Sequence, residues 1–277
     1  MIKFSHTLFA LPFAFTGALL AARGLPSAGQ ILWILLAMIG ARTAAMGLNR
    51  LIDADIDAKN PRTATRAIPA GLLSKGNVAL FILISLLLLL YAAYRLNPLC
   101  LLLSPLAIFF LGLYSYCKRF TALAHVILGI CLAAAPIGAW IAIRGDVTLP
   151  PLLLGAAVMF WVAGFDILYA LQDLEFDRES GLHSIPVKLG VTGSLWLARI
   201  FSVLMVVLLI WLCVAESFGI AFICGIAAVT LLLTYEHWLL KDGDLSRLDL
   251  AFFTMNGYVS IIIFIATAVD IFISGGA

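Results

Sequence analysis

The sequence predicts an all-α, polytopic membrane protein of about nine transmembrane helices, and three observations predict it. Of 277 residues, 64% are hydrophobic and only 12% charged, against roughly 45–50% and about 25% in an ordinary globular chain. A soluble globule of this size has no core large enough to hide so much apolar surface. The apolar residues are gathered in runs of ~20, the length that crosses ~30 Å of hydrocarbon. Lysine and arginine, finally, fall very unequally between alternate loops. A net charge of +2 with dispersed basic residues argues against a nucleic-acid partner. Cys100, Cys117, Cys131, Cys213 and Cys224 stand singly, which points to neither a disulfide framework nor a zinc site.

Charges and Pro/Gly turn signals divide the chain into apolar stretches near 7–22, 30–50, 77–95, 98–117, 122–143, 151–173, 191–214, 217–239 and 249–272. The first lacks a charged leader and a small-residue cleavage site, so it reads as a retained span. Only Arg95, Asn97 and Pro98 separate the third stretch from the fourth. Nine spans put the termini on opposite sides. The N-terminus and the loops after spans 2, 4, 6 and 8 hold Lys3, Lys59, Arg62, Arg66, Lys75, Lys118, Arg119, Arg178, Lys188, Lys241 and Arg247, whereas the other loops hold Arg23, Arg95 and Arg144. That imbalance orients the N-terminus and the first set of loops toward the cytoplasm of a cell inner membrane. The expectation is one transmembrane domain over 1–277, with no soluble domain appended.

The loops after spans 2 and 6 are longer and polar, and each opens with acidic residues at helical spacing. Asn49, Asp53 and Asp57 recur every four residues and share one helix face. Arg42, seven residues before Asn49, extends that stripe into the apolar segment. Asp166, Tyr169, Asp173 and Asp177 form the second stripe. An offset of 120 residues lays Asn49 on Tyr169, Asp53 on Asp173, Asp55 on Glu175 and Asp57 on Asp177, which hints at an internal duplication.

Carboxylates gathered at one pole repel one another unless something positive lies between them. Hard oxygen ligands at a water-accessible place suit Mg²⁺, which binds through a few carboxylates plus substrate phosphates. Basic residues lie beside both stripes: Lys59, Arg62 and Arg66, then Lys118 and Arg119, then Arg178 and Lys188. Acid, metal, polyphosphate and base would compose a neutral sandwich. Asp55, Glu175, Glu179, Lys75 and Arg247 read as ordinary solvated loop charges. Arg42 and Asp166 read either as functional groups within a span or as a buried structural pair. His6, His125, His183 and His237 are scattered and read as structural or interfacial, and the six tryptophans as interfacial belts or packing.

Asn49-x-x-x-Asp53-x-x-x-Asp57, running on through Pro61-Arg62-Thr63 to Arg66-Ala-Ile-Pro69-Ala-Gly71, resembles the first signature of the UbiA superfamily of intramembrane aromatic prenyltransferases. Asp166-x-x-Tyr169-x-x-x-Asp173-x-x-x-Asp177 resembles the second. Tyr114-Ser-Tyr116-Cys-Lys118-Arg119-Phe-Thr121, followed by Leu128-Gly129, is similar to the family's segment after its fourth helix. Phe4-Ser-His-Thr-Leu-Phe-Ala-Leu-Pro12 and the run from Arg42 to Arg50 look most like the 4-hydroxybenzoate polyprenyltransferase or UbiA-like branch. Asn49-Arg50 stands where many quinone-pathway members carry Asn-Asp.

The resemblance implies nine helices around a central cavity, a cytoplasmic cap over the two motifs and a lateral opening to lipid. It implies transfer of a polyprenyl group from polyprenyl diphosphate to an aromatic acid, with 4-hydroxybenzoate in ubiquinone biosynthesis the leading acceptor and a dihydroxynaphthoate in menaquinone biosynthesis the alternative. In that scheme Asn49, Asp53 and Asp57 hold one Mg²⁺ and Asp173 and Asp177 another. Arg62, Arg66, Lys118 and Arg119 clamp the diphosphate. Tyr169, or more distantly Tyr114 or Tyr116, faces the allylic cation, Asp166 orients or deprotonates the phenol, and Arg42 pairs with the acceptor carboxylate. A rival from another class is a cation-coupled secondary transporter, in which the duplication is a transport repeat. Transporter carboxylates usually sit near the midplane at broken helices, whereas these cluster at one end among basic loops. A non-catalytic membrane scaffold leaves the carboxylate series without a purpose.

Overall fold

The structure is a computed structural model that describes residues 7–240 and 255–274. Lys3, His6, Lys241, Arg247, the start of the Phe4–Pro12 run and the first residues of the ninth expected span lie outside the described residues. Eleven helices are described: α1 (Thr7–Ala22), α2 (Ala28–Ile52), α3 (Ala54–Asp57), α4 (Lys75–Leu96), α5 (Pro98–Cys117), α6 (Ala124–Arg144), α7 (Leu149–Ala170), α8 (Leu174–Glu179), α9 (Ile185–Ala215), α10 (Ile220–Leu239) and α11 (Asn256–Ser274). There is no strand among the described residues. Among the described residues, eight helices are long and apolar enough to cross a membrane. The first expected span, α1, is apolar and is described over 16 residues from Thr7, the first described residue.

Local chemistry sets many of the boundaries. Ser27 and Gln30 form a reciprocal capping box at the start of α2. Ser74, Asn97 and Ser184 cap α4, α5 and α9 with their side chains, and Pro98 and Pro186 occupy first-turn positions where no amide hydrogen is needed. The seventh expected span begins just after Gly190, whose φ of 68° interrupts α9 and is open to glycine at little cost.

Helices α1, α6, α7, α9, α10 and α11 pack each against the next in a closed circuit. Its interior is filled by Phe13, Leu154, Trp161, Met205, Leu209, Phe222, Val259 and Ile263, all buried. Close backbone approach holds the circuit: a Cβ on Gly17 would lie 2.3 Å from the Pro136 carbonyl oxygen, joining α1 to α6, and one on Gly129 would lie 2.4 Å from the Met159 oxygen, joining α6 to α7. Helices α2, α4 and α5 form a second group that reaches the circuit through α6. α6 thus stands between α2 and α7, the two helices that carry the acidic motifs. Leu83, Ile84 and Leu87 of α4, Leu102 and Phe109 of α5, and Val203 and Val207 of α9 face outward. Such broad apolar faces match the hydrocarbon of a membrane.

The loops separate into two poles. Arg23 pairs with Glu216 at 2.5 Å, and Asn97 Nδ2 donates to the Ile141 carbonyl at 2.7 Å. These tie the connection after α1 to the one after α9, and the connection after α4 to the last turn of α6. The connections after α2, α5 and α7 meet at the opposite pole and bear the motifs.

One expectation is corrected here. The acidic stripes are not continuous helices. α2 stops at Asp53 (φ −90°, ψ 3°), which starts the short α3. α7 gives way to a single 3₁₀ turn, Leu171–Asp173, and Asp173 (φ −101°, ψ 6°) starts the short α8. Both breaks fall in the sparsely used region between the helical and extended wells, at positions 120 residues apart.

Candidate active site

The first motif keeps its face despite the break, because Asp57 N–H still donates to the Asp53 carbonyl at 2.7 Å. Asn49 Nδ2 donates to Asp53 Oδ2 at 3.0 Å. Asp53 is only 2% exposed, and two cations from the end of α5 compensate it: Lys118 Nζ at 2.6 Å from Oδ2 and Arg119 Nη1 at 3.1 Å from Oδ1. Arg119 is also a structural clasp. It donates to the Ser115 carbonyl and, across to α2, to the Ile52 carbonyl, both at 2.8 Å, taking up a carbonyl that the end of α2 leaves free. Asp57 is likewise buried. Arg66 Nη1 donates to both its oxygens, at 2.7 and 2.8 Å, and Arg50 Nη1 stands 3.9 Å from Oδ2.

Residues 58–74 fold into successive hydrogen-bonded turns over this pole. Thr63 Oγ1 donates to the Asp57 carbonyl at 3.0 Å and ties the segment down. From it Arg62 reaches the second motif. Its Nε donates to Asp173 Oδ1 at 2.9 Å, its Nη2 pairs with Oδ2, and its Nη1 donates to the Tyr169 hydroxyl at 3.3 Å. The guanidinium also lies over the Tyr169 ring, 5.5 Å from its centroid. Burial works against the Arg62 charge, but the hydrogen bond and charge of Asp173 more than offset it and raise the guanidinium pKa above its ordinary value. Buried Asn60 donates to Asp173 Oδ1 at 3.0 Å while its own oxygen accepts from the Arg62 amide.

Asp177 accepts from the Ser184 side chain and lies in electrostatic range of Asp173, Lys118 and His125. The His183 amide donates to the Lys118 carbonyl at 2.7 Å, pinning the α8–α9 connection to the end of α5. Deeper in the bundle, Asp166 Oδ2 lies 2.7 Å from His125 Nδ1, and Tyr114 lies in electrostatic range of Asp166 and Asp53. Arg42 lies partly buried within α2, two turns before Asn49.

The structure therefore brings Asn49, Asp53, Asp57, Arg62, Arg66, Lys118, Arg119, Tyr169, Asp173 and Asp177 to one pole. Asn60 and Arg50 join them. Asn60 carries no periodic signal, and Arg50 stands out in the sequence only as a cation where an aspartate is common. His125, expected to be structural or interfacial, is the partner of Asp166.

A metal site is tested by its donors. Among the described residues, no three His, Cys, Asp or Glu side chains gather into a ready ligand set. The donors are nevertheless all hard oxygens, arranged as two carboxylate ridges compensated by cations. That set fits an ion which takes few protein ligands and completes its shell with water and substrate phosphate, the habit of Mg²⁺.

The family model for the UbiA prenyltransferase family matches residues 10–258. The chain belongs to that family. This UbiA prenyltransferase is thus an enzyme and an integral membrane protein. It is 31% identical over 256 residues to a 4-hydroxybenzoate octaprenyltransferase of Francisella tularensis, covering 92% of this chain and 89% of that one. The apo structure of a UbiA homolog from Aeropyrum pernix is 34% identical, with a TM-score of 0.89 over 98% of this chain and 99% of the other. A UbiA homolog from Archaeoglobus fulgidus, solved with DMAPP and Mg²⁺, shares the fold at 19% identity, with a TM-score of 0.75 over 97% of this chain and 98% of that one.

Proposed function

We propose that this UbiA prenyltransferase transfers a polyprenyl group from its diphosphate to an aromatic acid, 4-hydroxybenzoate first among them, in a Mg²⁺-dependent reaction. The chain acts as one transmembrane domain with the motif pole toward the cytoplasm. The observation that carries the reading is the Arg62–Asp173 contact: it closes the cap of the first acidic ridge onto the second. Lys118, paired with Asp53, brings a cation from the end of α5 to the first ridge. The names and bound ligands of the relatives support it, since one is a 4-hydroxybenzoate octaprenyltransferase and another was solved with a short prenyl diphosphate and Mg²⁺.

Asn49, Asp53 and Asp57 would hold one ion and Asp173 and Asp177 a second. When bound, Mg²⁺ supplies charge that neutralises the diphosphate as its C–O bond breaks. Arg62, Arg66 and Lys118 bind the phosphate oxygens and stabilise the same developing charge. The apolar bundle receives the tail. Tyr169, already under the Arg62 cation, presents a ring face that also attracts an allylic cation. Residues 58–74 shield the pole from water, so that the aromatic ring captures that cation before hydroxide does. Arg42, deeper on α2, offers a guanidinium to the carboxylate of the acceptor, and Asp166 a base to its ring.

The test is incubation of membranes carrying the protein with Mg²⁺, a labelled polyprenyl diphosphate and a panel of aromatic acids. Prenylated 4-hydroxybenzoate is the expected product. Prenylation of a dihydroxynaphthoate alone would move the acceptor to the other quinone route, and no product from any acid would overturn the reading.

A further inference from the structure

His125 lies in the first turn of α6 and is 4% exposed. Its Nδ1 is 2.7 Å from Asp166 Oδ2, and the close approach of α6 and α7 at Gly129 holds the two residues on a rigid pair of helices. The other ring nitrogen, Nε2, is buried without a hydrogen-bond partner. These facts assign the protons. A carboxylate only accepts, so the proton sits on Nδ1 and is donated to Asp166. A second proton on Nε2 would be a buried N–H with no acceptor, which is costly. The pair is therefore a neutral imidazole and an ionised Asp166, with a single negative charge. The Asp166 side chain is 18% exposed, so its second oxygen is open to an approaching group.

The pair sits at an informative depth. Asp166 lies seven residues before Asp173 on α7, about 10 Å further into the membrane at ~1.5 Å per residue. Tyr114 feels the charge of both Asp166 and Asp53. The pair thus lies on the bundle side of the second acidic motif, the side toward which the prenyl carbon of a diphosphate held at the pole would extend.

Resting on the prenyl-transfer reading above, we infer that His125 is a positioning residue that holds Asp166 ready to receive the proton the aromatic ring must lose. The C–O bond of the prenyl diphosphate breaks and its electron pair leaves on the diphosphate. A ring carbon supplies the pair for the new C–C bond to the allylic carbon. The C–H pair at that carbon then returns to the ring, and its proton passes to the open oxygen of Asp166, which becomes a carboxylic acid. His125 stays neutral throughout and keeps its Nδ1–H on the other oxygen, fixing the rotamer and preventing the acid from turning away.

The experiment measures kcat and KM in membranes with the acceptor that the wild-type protein uses. His125→Phe is expected to lower kcat about 100-fold, within the usual range for acid–base steps, while KM for the prenyl diphosphate stays within about twofold. His125→Asn, whose amide N–H stands near the place of Nδ1–H, is expected to recover kcat to within about tenfold of wild type; His125→Gln, whose amide reaches the Nε2 place instead, is not. Adding His125→Phe to Asp166→Asn is expected to cost nothing further. Unchanged kcat in His125→Phe overturns the inference, as does an equal loss in the Asn and Gln variants, or a double variant whose loss is the product of the single ones. If His125→Phe does not insert, the Asn and Gln comparison decides alone. A wild-type protein that prenylates no acid of the panel defeats the prenyl-transfer reading instead, so the two failures are told apart.

Discussion

Arg62 and Asp173, 111 residues apart in the chain, meet as a two-pronged ion pair in which Nε and Nη2 of the guanidinium each engage one carboxylate oxygen. The pair joins the segment that follows the first acidic helix to the end of the second. Arg62→Lys keeps the charge but replaces the planar fork with a single ammonium. The expected result is a KM for the prenyl diphosphate raised about tenfold with a melting temperature close to that of the parent, since a pair this exposed contributes little to stability. Steady-state kinetics and thermal melting in detergent measure both.

Asp53→Ala and Asp173→Ala are expected to lower kcat by about 100-fold or more, the order seen when one preorganised electrostatic group is removed from a site. Folding survives, because Lys118, Arg119 and Arg62 are each partly solvent-exposed and can hydrate when their partner is lost. Activity in membranes, alongside the yield of inserted protein, checks this. Near-normal turnover would remove both aspartates from the proposed chemistry.

Lys118 and Arg119 are neighbours with different work. Arg119 binds two backbone carbonyls besides Asp53, so Arg119→Ala is expected to destabilise the protein by about 1–3 kcal/mol, the cost of leaving buried polar groups unsatisfied. Lys118→Ala is expected to spare stability and impair prenyl diphosphate binding. A melting series beside a KM series separates the two.

Removal of divalent ions with EDTA is expected to abolish turnover without unfolding the protein. Asp53, Asp57 and Asp173 each have a basic partner in the absence of metal, so the site does not fly apart by self-repulsion. The expected Tm shift is small without substrate and becomes a clear rise only when Mg²⁺ and prenyl diphosphate are supplied together.

Gly17→Ala tests the packing of α1 on α6. The new methyl would lie 2.3 Å from a backbone oxygen of Pro136, and helix backbone cannot yield as a flexible side chain can. The expected destabilisation is about 1–3 kcal/mol, read as a lowered Tm in detergent, whereas Gly29→Ala, with nothing within 4 Å, is expected to be neutral or slightly stabilising.

Much of this was legible in the sequence, for physical reasons that single residues show. Asp53 and Asp57 share a face because four residues make about one turn, and that spacing survived in space. The break at Asp53 and its counterpart at Asp173 was not legible, since neither position carries proline or glycine; what marks each in space is a tertiary partner, Lys118 for one and Arg62 for the other. Asn60 was missed because a lone polar residue in a loop has no period, and its role appears only when Asp173 arrives from 113 residues away. His125 looked like a solitary histidine on an apolar helix. Its partner Asp166 is remote in sequence and becomes adjacent only through the packing of α6 on α7.

Arg62, Arg66 and Lys118 already have anions of their own. On the function proposed above, a diphosphate that docks at the motif pole displaces Asp173 from Arg62 and Asp57 from Arg66 before it gains their charge, so its head group enters by exchange and contributes only a net difference. The surplus that retains the donor then comes from its isoprenoid chain in the bundle. Once that chain has moved to the ring, inorganic pyrophosphate is left with nothing but the exchange, and the aspartates reclaim their arginines as it departs.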